Sequence, residues 1–207
     1  QGHSLLATAL LLKRLVSNKK CYGFDAFCGF PPVFHDNDDI GQFLRLYNVG
    51  KISKEHYFDV KKNFRWRTAL HKSTVDSRSI SNSGDFSSTS KELVQKKIEL
   101  LELDNVILVE GPFHKTMHKN NKPFSVMCAL IDCDLYESHI RCFEFLWPRL
   151  ARGGLMYLDE YYSLKFPGAR IATDQFLELN RDADLVQFPS YKYEFERWGV
   201  KKAIRDN

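Results

Sequence analysis

Five cysteines (Cys21, Cys28, Cys128, Cys133, Cys142) occur without a single C-x-x-C pair and without zinc-type Cys/His spacing. That excludes a zinc finger and a dithiol redox motif. The cysteines are read as reduced packing residues of an intracellular chain. No apolar run approaches the roughly 20 residues of a membrane-spanning helix. The most apolar stretch, residues 5–16, already carries Lys13 and Arg14. A charged segment followed by an apolar core and a cleavage site is also missing, so a cytoplasmic location with no membrane partner is expected. There is no internal repeat and no heptad pattern. Excess charge of one sign is lacking too: the net charge is +4 over 207 residues, too mild to argue for a nucleic-acid partner.

What is present is a core. Hydrophobic residues make up 43% and aromatics 14% of the chain, enough for one globular domain over residues 1–207. Helical periodicity or composition marks residues 4–16, 53–66, 90–101, 137–150 and 169–179. Short apolar runs at 21–25, 106–110, 126–131 and 155–158 read as buried strands. Residues 186–193 and 195–204 read as a closing strand pair around Lys192-Tyr193-Glu194. Strand and helix alternate, which predicts an α/β fold: a doubly wound, mostly parallel sheet with helices on both faces. Such a chain normally opens on a strand, and this one opens on a helix, so an upstream segment is expected to be absent. Residues 33–50 read as polar and broken. Residues 72–90 hold eight serines and no periodicity, and are expected to be a mobile loop near the site.

The chain is organised around Val126-Met-Cys-Ala-Leu-Ile131, which runs straight into Asp132-Cys-Asp134. Buried strands do not end in carboxylates without a cost, and open α/β sheets bind ligands at the carboxyl ends of their strands. A second such strand, 155–158, ends in Asp159-Glu160. If the two strands are neighbours, Asp132 and Asp159 lie side by side. Crowded carboxylates repel one another unless a cation sits between them, and hard oxygens suit Mg²⁺, Mn²⁺ or Ca²⁺. The bland alternative has Asp134 capping the next helix and Glu160 facing water. Asp25 ends another strand, as either a ribose acceptor or a turn-forming residue.

Five collinear motifs then resemble the macrocin O-methyltransferase family. They are YGFDAFCGFP (22–31), GPFHKT (111–116), IDCDLYES (131–138), RGG (152–154) with LDEY (158–161), and GARIATDQF (168–176). The resemblance implies a class I methyltransferase-like fold and S-adenosylmethionine-dependent methylation of a hydroxyl on a sugar or similar small acceptor. It implies metal ligation by Asp132, Asp159 and Glu160, with Asp134 as general base. Asp25 falls where the cofactor ribose is held, and Glu110-Gly111 falls near the adenine. Glu160 stands where the family has Asp. The family's first strand and glycine loop should end around residues 1–4, with only Gly2 of the loop surviving, so part of the cofactor site is expected to be lost. The expected partner is a glycoside-like acceptor, and a homo-oligomer is compatible with the sequence.

Other candidates have plainer readings. His114 and His118 are four apart but lack the adjoining Glu of a zinc motif. His139 is expected on the first turn of a helix. Tyr161 and Tyr162 could line a pocket or simply pack. Arg170 is expected in a structural ion pair. The basic stretch 51–72, with Phe64 and Trp66, reads as a solvated face rather than an RNA-binding one. Two other functions stay open: a metal-dependent glycosyltransferase using the D-x-D at 132–134, and a catalytically silent α/β binding module.

Overall fold

A computed structural model describes residues 2–72, 74–76, 78–81, 84–118, 124–191 and 195–204. The expected turn at Lys192-Tyr193-Glu194 lies outside the described residues, as do Asn82 and Ser83 of the serine-rich stretch. The chain forms two compact units, Gln1–Pro31 with Ser83–His118, and Pro32–Asn82 with Lys119–Asn207.

In the first unit, helix α1 (His3–Arg14) and strand β1 (Cys21–Asp25) come from the first segment. Helix α4 (Lys91–Leu100), strand β2 (Val106–Glu110) and the short helix α5 (Phe113–Thr116) come from the second. Strands β1 and β2 pair in parallel, Cys21 with Val106 through Asp25 with Glu110. The core between strands and helices is Leu6, Ala9, Cys21, Val94, Ile98 and Leu103. Ser90 caps α4 by accepting from the Leu93 amide, as its position before the apolar periodicity predicts. Gly29 lies in this unit with φ +82°, and a Cβ there would stand 2.5 Å from the Asp85 carbonyl oxygen. The Phe30 amide donates to that same oxygen, so part of the serine-rich stretch packs on the turn after β1.

In the second unit, α2 (Gln42–Asn48) and α3 (Lys54–His71) precede strand β3 (Val126–Ile131). Helix α6 (Tyr136–Leu146), strand β4 (Leu150–Leu158), helix α7 (Pro167–Leu179) and strands β5 (Ala183–Phe188) and β6 (Arg197–Lys202) follow. The sheet order is β3-β4-β6-β5. The β3–β4 pair is parallel, and β6 is antiparallel to both its neighbours. Behind the sheet, Phe143 of α6 stacks on Phe176 of α7 at 4.4 Å.

Several boundaries differ from the sequence reading. Residues 33–50 contain α2, whose Phe43 and Leu46 pack with Ile52 and Val60; two apolar residues three apart are too faint a pattern beside the acids around them. Helix α6 stops at Leu146 rather than residue 150, because Pro148 interrupts the hydrogen-bond ladder and a 3₁₀ turn, Trp147–Arg149, takes over. Arg152-Gly-Gly lies inside β4, not after a helix. A Cβ on Gly154 would stand 2.9 Å from the Met127 carbonyl oxygen, so the glycine permits close approach to β3 where the register shifts. Strand β5 runs three residues earlier than read and ends before Pro189, which cannot donate to a ladder.

Candidate active site

Strands β3 and β4 are neighbours in register, with Ile131 opposite Leu158, and the Asp159 amide donates to the Ile131 carbonyl. Asp132 and Asp159 therefore leave the sheet side by side at its carboxyl edge. The strand does not continue through the second acid. Asp134 takes a left-handed backbone, φ 59°, and the Leu135 amide reaches back to the Cys133 carbonyl at 2.6 Å. The D-x-D is thus a tight turn, not two side chains projecting from one strand face.

The four acids differ in surroundings. Asp132 is exposed and Asp159 half-buried, while Asp134 and Glu160 are buried. Although the residue keeps an open face to solvent, the protein packed around its carboxyl strips part of its water and pushes Asp132 up to about 6, helped by repulsion from Asp159 and Glu160. Asp134 is pushed well above the usual carboxylate range by burial first, then by Glu160 and Asp132. The opposing charge is Lys165, whose ammonium lies 3.6 Å from Glu160 Oε1 and pulls both aspartates down. Ser163 sets the turn that delivers it, its hydroxyl accepting from the Lys165 and Phe166 amides. Sequence reading missed Lys165; the only signal was a lysine five residues beyond Glu160.

Among the described residues, no three His, Cys, Asp or Glu side chains are grouped as a ready-made metal cage. The expected trio Asp132, Asp159 and Glu160 is brought near one edge but not gathered as a cage, and Glu160 Oε1 lies 3.6 Å from the Lys165 ammonium. The donors of this trio are all carboxylate oxygens, the ligand type a hard divalent cation takes.

In the first unit, Asp25 and Glu110 end the paired parallel strands opposite one another. The Asp25 carboxylate accepts from the Phe27 amide at 2.7 Å, which is the turn-forming arrangement, at an exposed position. Glu110 pairs with Lys91 at 2.9 Å. The Gly111 amide donates to the Asp25 carbonyl, and its φ of 131° suits glycine alone. Gly2, at φ 78°, precedes α1, and a Cβ there would stand 3.1 Å from Val94.

The remaining candidates pack. Tyr161 is buried against Trp198, and its hydroxyl donates to Asp174. Tyr162 stacks on His56 at 4.0 Å. Arg170 forms the expected ion pair with Asp174 at 3.1 Å and lies over the Tyr161 ring. His139 lies on the first turn of α6, fully buried, and desolvation lowers it to about 4. His114 lies on α5, with His118 just beyond it. The outer face of α3 exposes Phe58 and Trp66 among Lys61, Lys62 and Arg65.

Acids stand at the carboxyl edge of a parallel strand pair in an α/β chain closed by antiparallel strands, a fold met in O-methyltransferases. Two solved structures share it. The O-methyltransferase NovP is similar with a TM-score of 0.63 at 18% identity, over 98% of this chain and 68% of its own. CalS11, a calicheamicin methyltransferase, is similar with a TM-score of 0.59 at 21% identity, over 95% of this chain and 66% of its own. The chain spans about two thirds of the length of each. No curated protein matches by sequence. The macrocin O-methyltransferase (TylF) family profile matches residues 67–187, more than half of the chain, and the chain belongs to that family. The matched residues include Glu110, Gly111, Asp132, Asp134, Asp159 and Glu160, but not Asp25 or Gly2.

Proposed function

We propose that the chain transfers the methyl group of S-adenosylmethionine to a hydroxyl of a sugar or similar small acceptor. The observation that carries this reading is the family match over the very segment whose acids converge on the β3–β4 edge. Cofactor binding falls to Asp25, Glu110 and Gly111, with Gly2 beside them in the first unit. Asp25 and Glu110 present acceptors for ribose and adenine donors. The acceptor hydroxyl falls to the acids of the second unit.

Asp134 takes the hydroxyl proton. Its burial strengthens every charge interaction around it, and its left-handed turn aims the carboxyl independently of the strand. As a neutral acid it could not accept a proton, so it needs positive charge nearby; Lys165 supplies part of it. Asp132, Asp159 and Glu160 would hold a divalent cation, Mg²⁺ above all, and that ion would add charge and lower the pKa of the hydroxyl. The methyl leaves sulfur with its bonding pair returning to sulfur, and the hydroxyl oxygen forms the new bond.

The glycosyltransferase reading is weaker, since the D-x-D is bent by Asp134 rather than displayed along one strand. Calorimetric titration separates these readings. S-adenosylmethionine should bind saturably and a nucleotide sugar should not replace it. Binding of the nucleotide sugar alone would favour the glycosyltransferase, and binding of neither would favour a silent module.

A further inference from the structure

Helix α6 begins one residue after the turn that carries Asp132 and Asp134, and its start is unusual. Its N-cap is Leu135, which has no side chain able to accept a hydrogen bond. The first-turn amides of a helix need such an acceptor. The Tyr136 amide finds one 98 positions earlier in the chain: it donates to Asp38 Oδ1 at 2.8 Å. Asp38 is only 2% exposed. It ends a 3₁₀ turn, Asp36–Asp38, that His35 caps through its Nδ1 atom. The His35 ring stacks on the Tyr136 ring at 4.4 Å and 27°. One short turn thus grips both the backbone and the ring of Tyr136.

The fit leaves no slack. Gly168, in the first turn of α7, faces this grip, and a Cβ there would fall 1.9 Å from Asp38 Oδ1 and 2.9 Å from the Tyr136 amide nitrogen. Glycine inside a helix costs roughly 1 kcal/mol relative to alanine. Here its reason is clearance for the carboxylate.

The turn so held is strained. A left-handed aspartate is tolerated but costly, and persists only where its surroundings over-determine it. The segment 132–135 is held at both ends, and between them the Leu135 carbonyl accepts from the His139 amide and Cys133 Sγ lies 3.4 Å from His139 Nδ1. At one end the Ile131 carbonyl accepts the Asp159 amide; at the other, Tyr136 is fixed by Asp38. We infer that Asp38 is a positioning residue for the reaction: its carboxylate, admitted by Gly168, holds the start of α6 so that Asp134 keeps its left-handed turn and Asp132 and Asp134 keep their places. The inference rests on the roles given above to those two acids. It also ties residues 35–38, in the polar segment before α2, to the acid edge.

The test compares Asp38→Ala, Asp38→Asn and Gly168→Ala in the full chain. Crystal structures of the variants read the φ of residue 134 directly, whatever the activity. Asp38→Ala and Gly168→Ala should release Asp134 from the left-handed region and speed hydrogen exchange at the Tyr136 amide by about tenfold, the size of a lost cap. Asp38→Asn keeps an oxygen acceptor of the same shape and should preserve both. In methyl transfer, the first two should lower kcat about tenfold or more with S-adenosylmethionine affinity unchanged, and Asp38→Asn should restore at least half. An unmoved Asp134 in Asp38→Ala overturns the proposal, as does an Asp38→Asn variant that falls as far as Asp38→Ala. Asp134→Asn is measured alongside: full activity there would sink the general-base reading instead, while leaving the structural result to stand.

Discussion

At Asp134 the chain accepts a left-handed backbone and a carboxyl group that resists ionisation, the kind of cost that concentrates where chemistry is done. Two predictions belong to this scale. The rate–pH profile of methyl transfer should have an acidic limb above the ordinary carboxylate range, because burial and the neighbouring acids favour the protonated form of Asp134. Lys165→Met should move that limb further up, since the lost ammonium no longer favours the ionised acids; a limb that stays in place would remove Lys165 from the account. The second prediction concerns stability. The folded-state pKa of Asp132, about 6, lies above its unfolded value of roughly 3.9. Ionisation therefore opposes folding increasingly as pH rises from about 4 to about 6, and the full cost stands above that window. Asp132→Asn should abolish turnover yet raise stability at pH 7.5 by about 1 kcal/mol, after discounting for the open face of the side chain. That gain should vanish near pH 4 in thermal unfolding.

At the scale of elements, α6 and α7 support the acid edge from behind. Phe143 is 2% exposed and stacks on Phe176, which also meets Trp147 edge-on at 5.0 Å. Phe143→Ala should cost about 3–5 kcal/mol in urea unfolding, with S-adenosylmethionine affinity unchanged because the residues proposed to hold the cofactor lie in the other unit. Strands were the legible elements here. β1, β2 and β3 start and stop where their apolar runs do, with an acid at the end or just after, whereas the pairing of β3 with β4 entered the sequence reading only as a condition. The site acids were legible for the same reason: a carboxylate after a buried run stands out. What stayed hidden depends on distant residues. Lys165 acquires meaning only because the Ser163 turn folds it toward Glu160. Asp38 looked like one of several acids in a polar stretch, and its partner amide lies 98 positions away. The left-handed turn at Asp134 gave no signal either, since the strand pattern simply predicts continued alternation.

At the scale of the molecule, two compact units each carry their own core and their own set of candidate residues. The first displays two acids at the ends of parallel strands; the second gathers four. No helix among the described residues is long and apolar enough to cross a membrane. Family membership rests on residues 67–187, which lie in both units, whereas the Asp25 segment precedes the match. The account centres on the acid edge of the second unit, which works best with added positive charge. The most direct test is transfer of a labelled methyl group from S-adenosylmethionine to a panel of glycosides and sugar nucleotides, run with Mg²⁺, with a chelator, and with Asp132→Asn. The account predicts label on an acceptor hydroxyl with Mg²⁺, and loss of at least about a hundredfold in rate, roughly 2.7 kcal/mol of barrier, in the other two arms. Equal labelling in chelator would contradict the metal role, and no labelling of any acceptor by a chain that binds S-adenosylmethionine would contradict the proposed reaction itself.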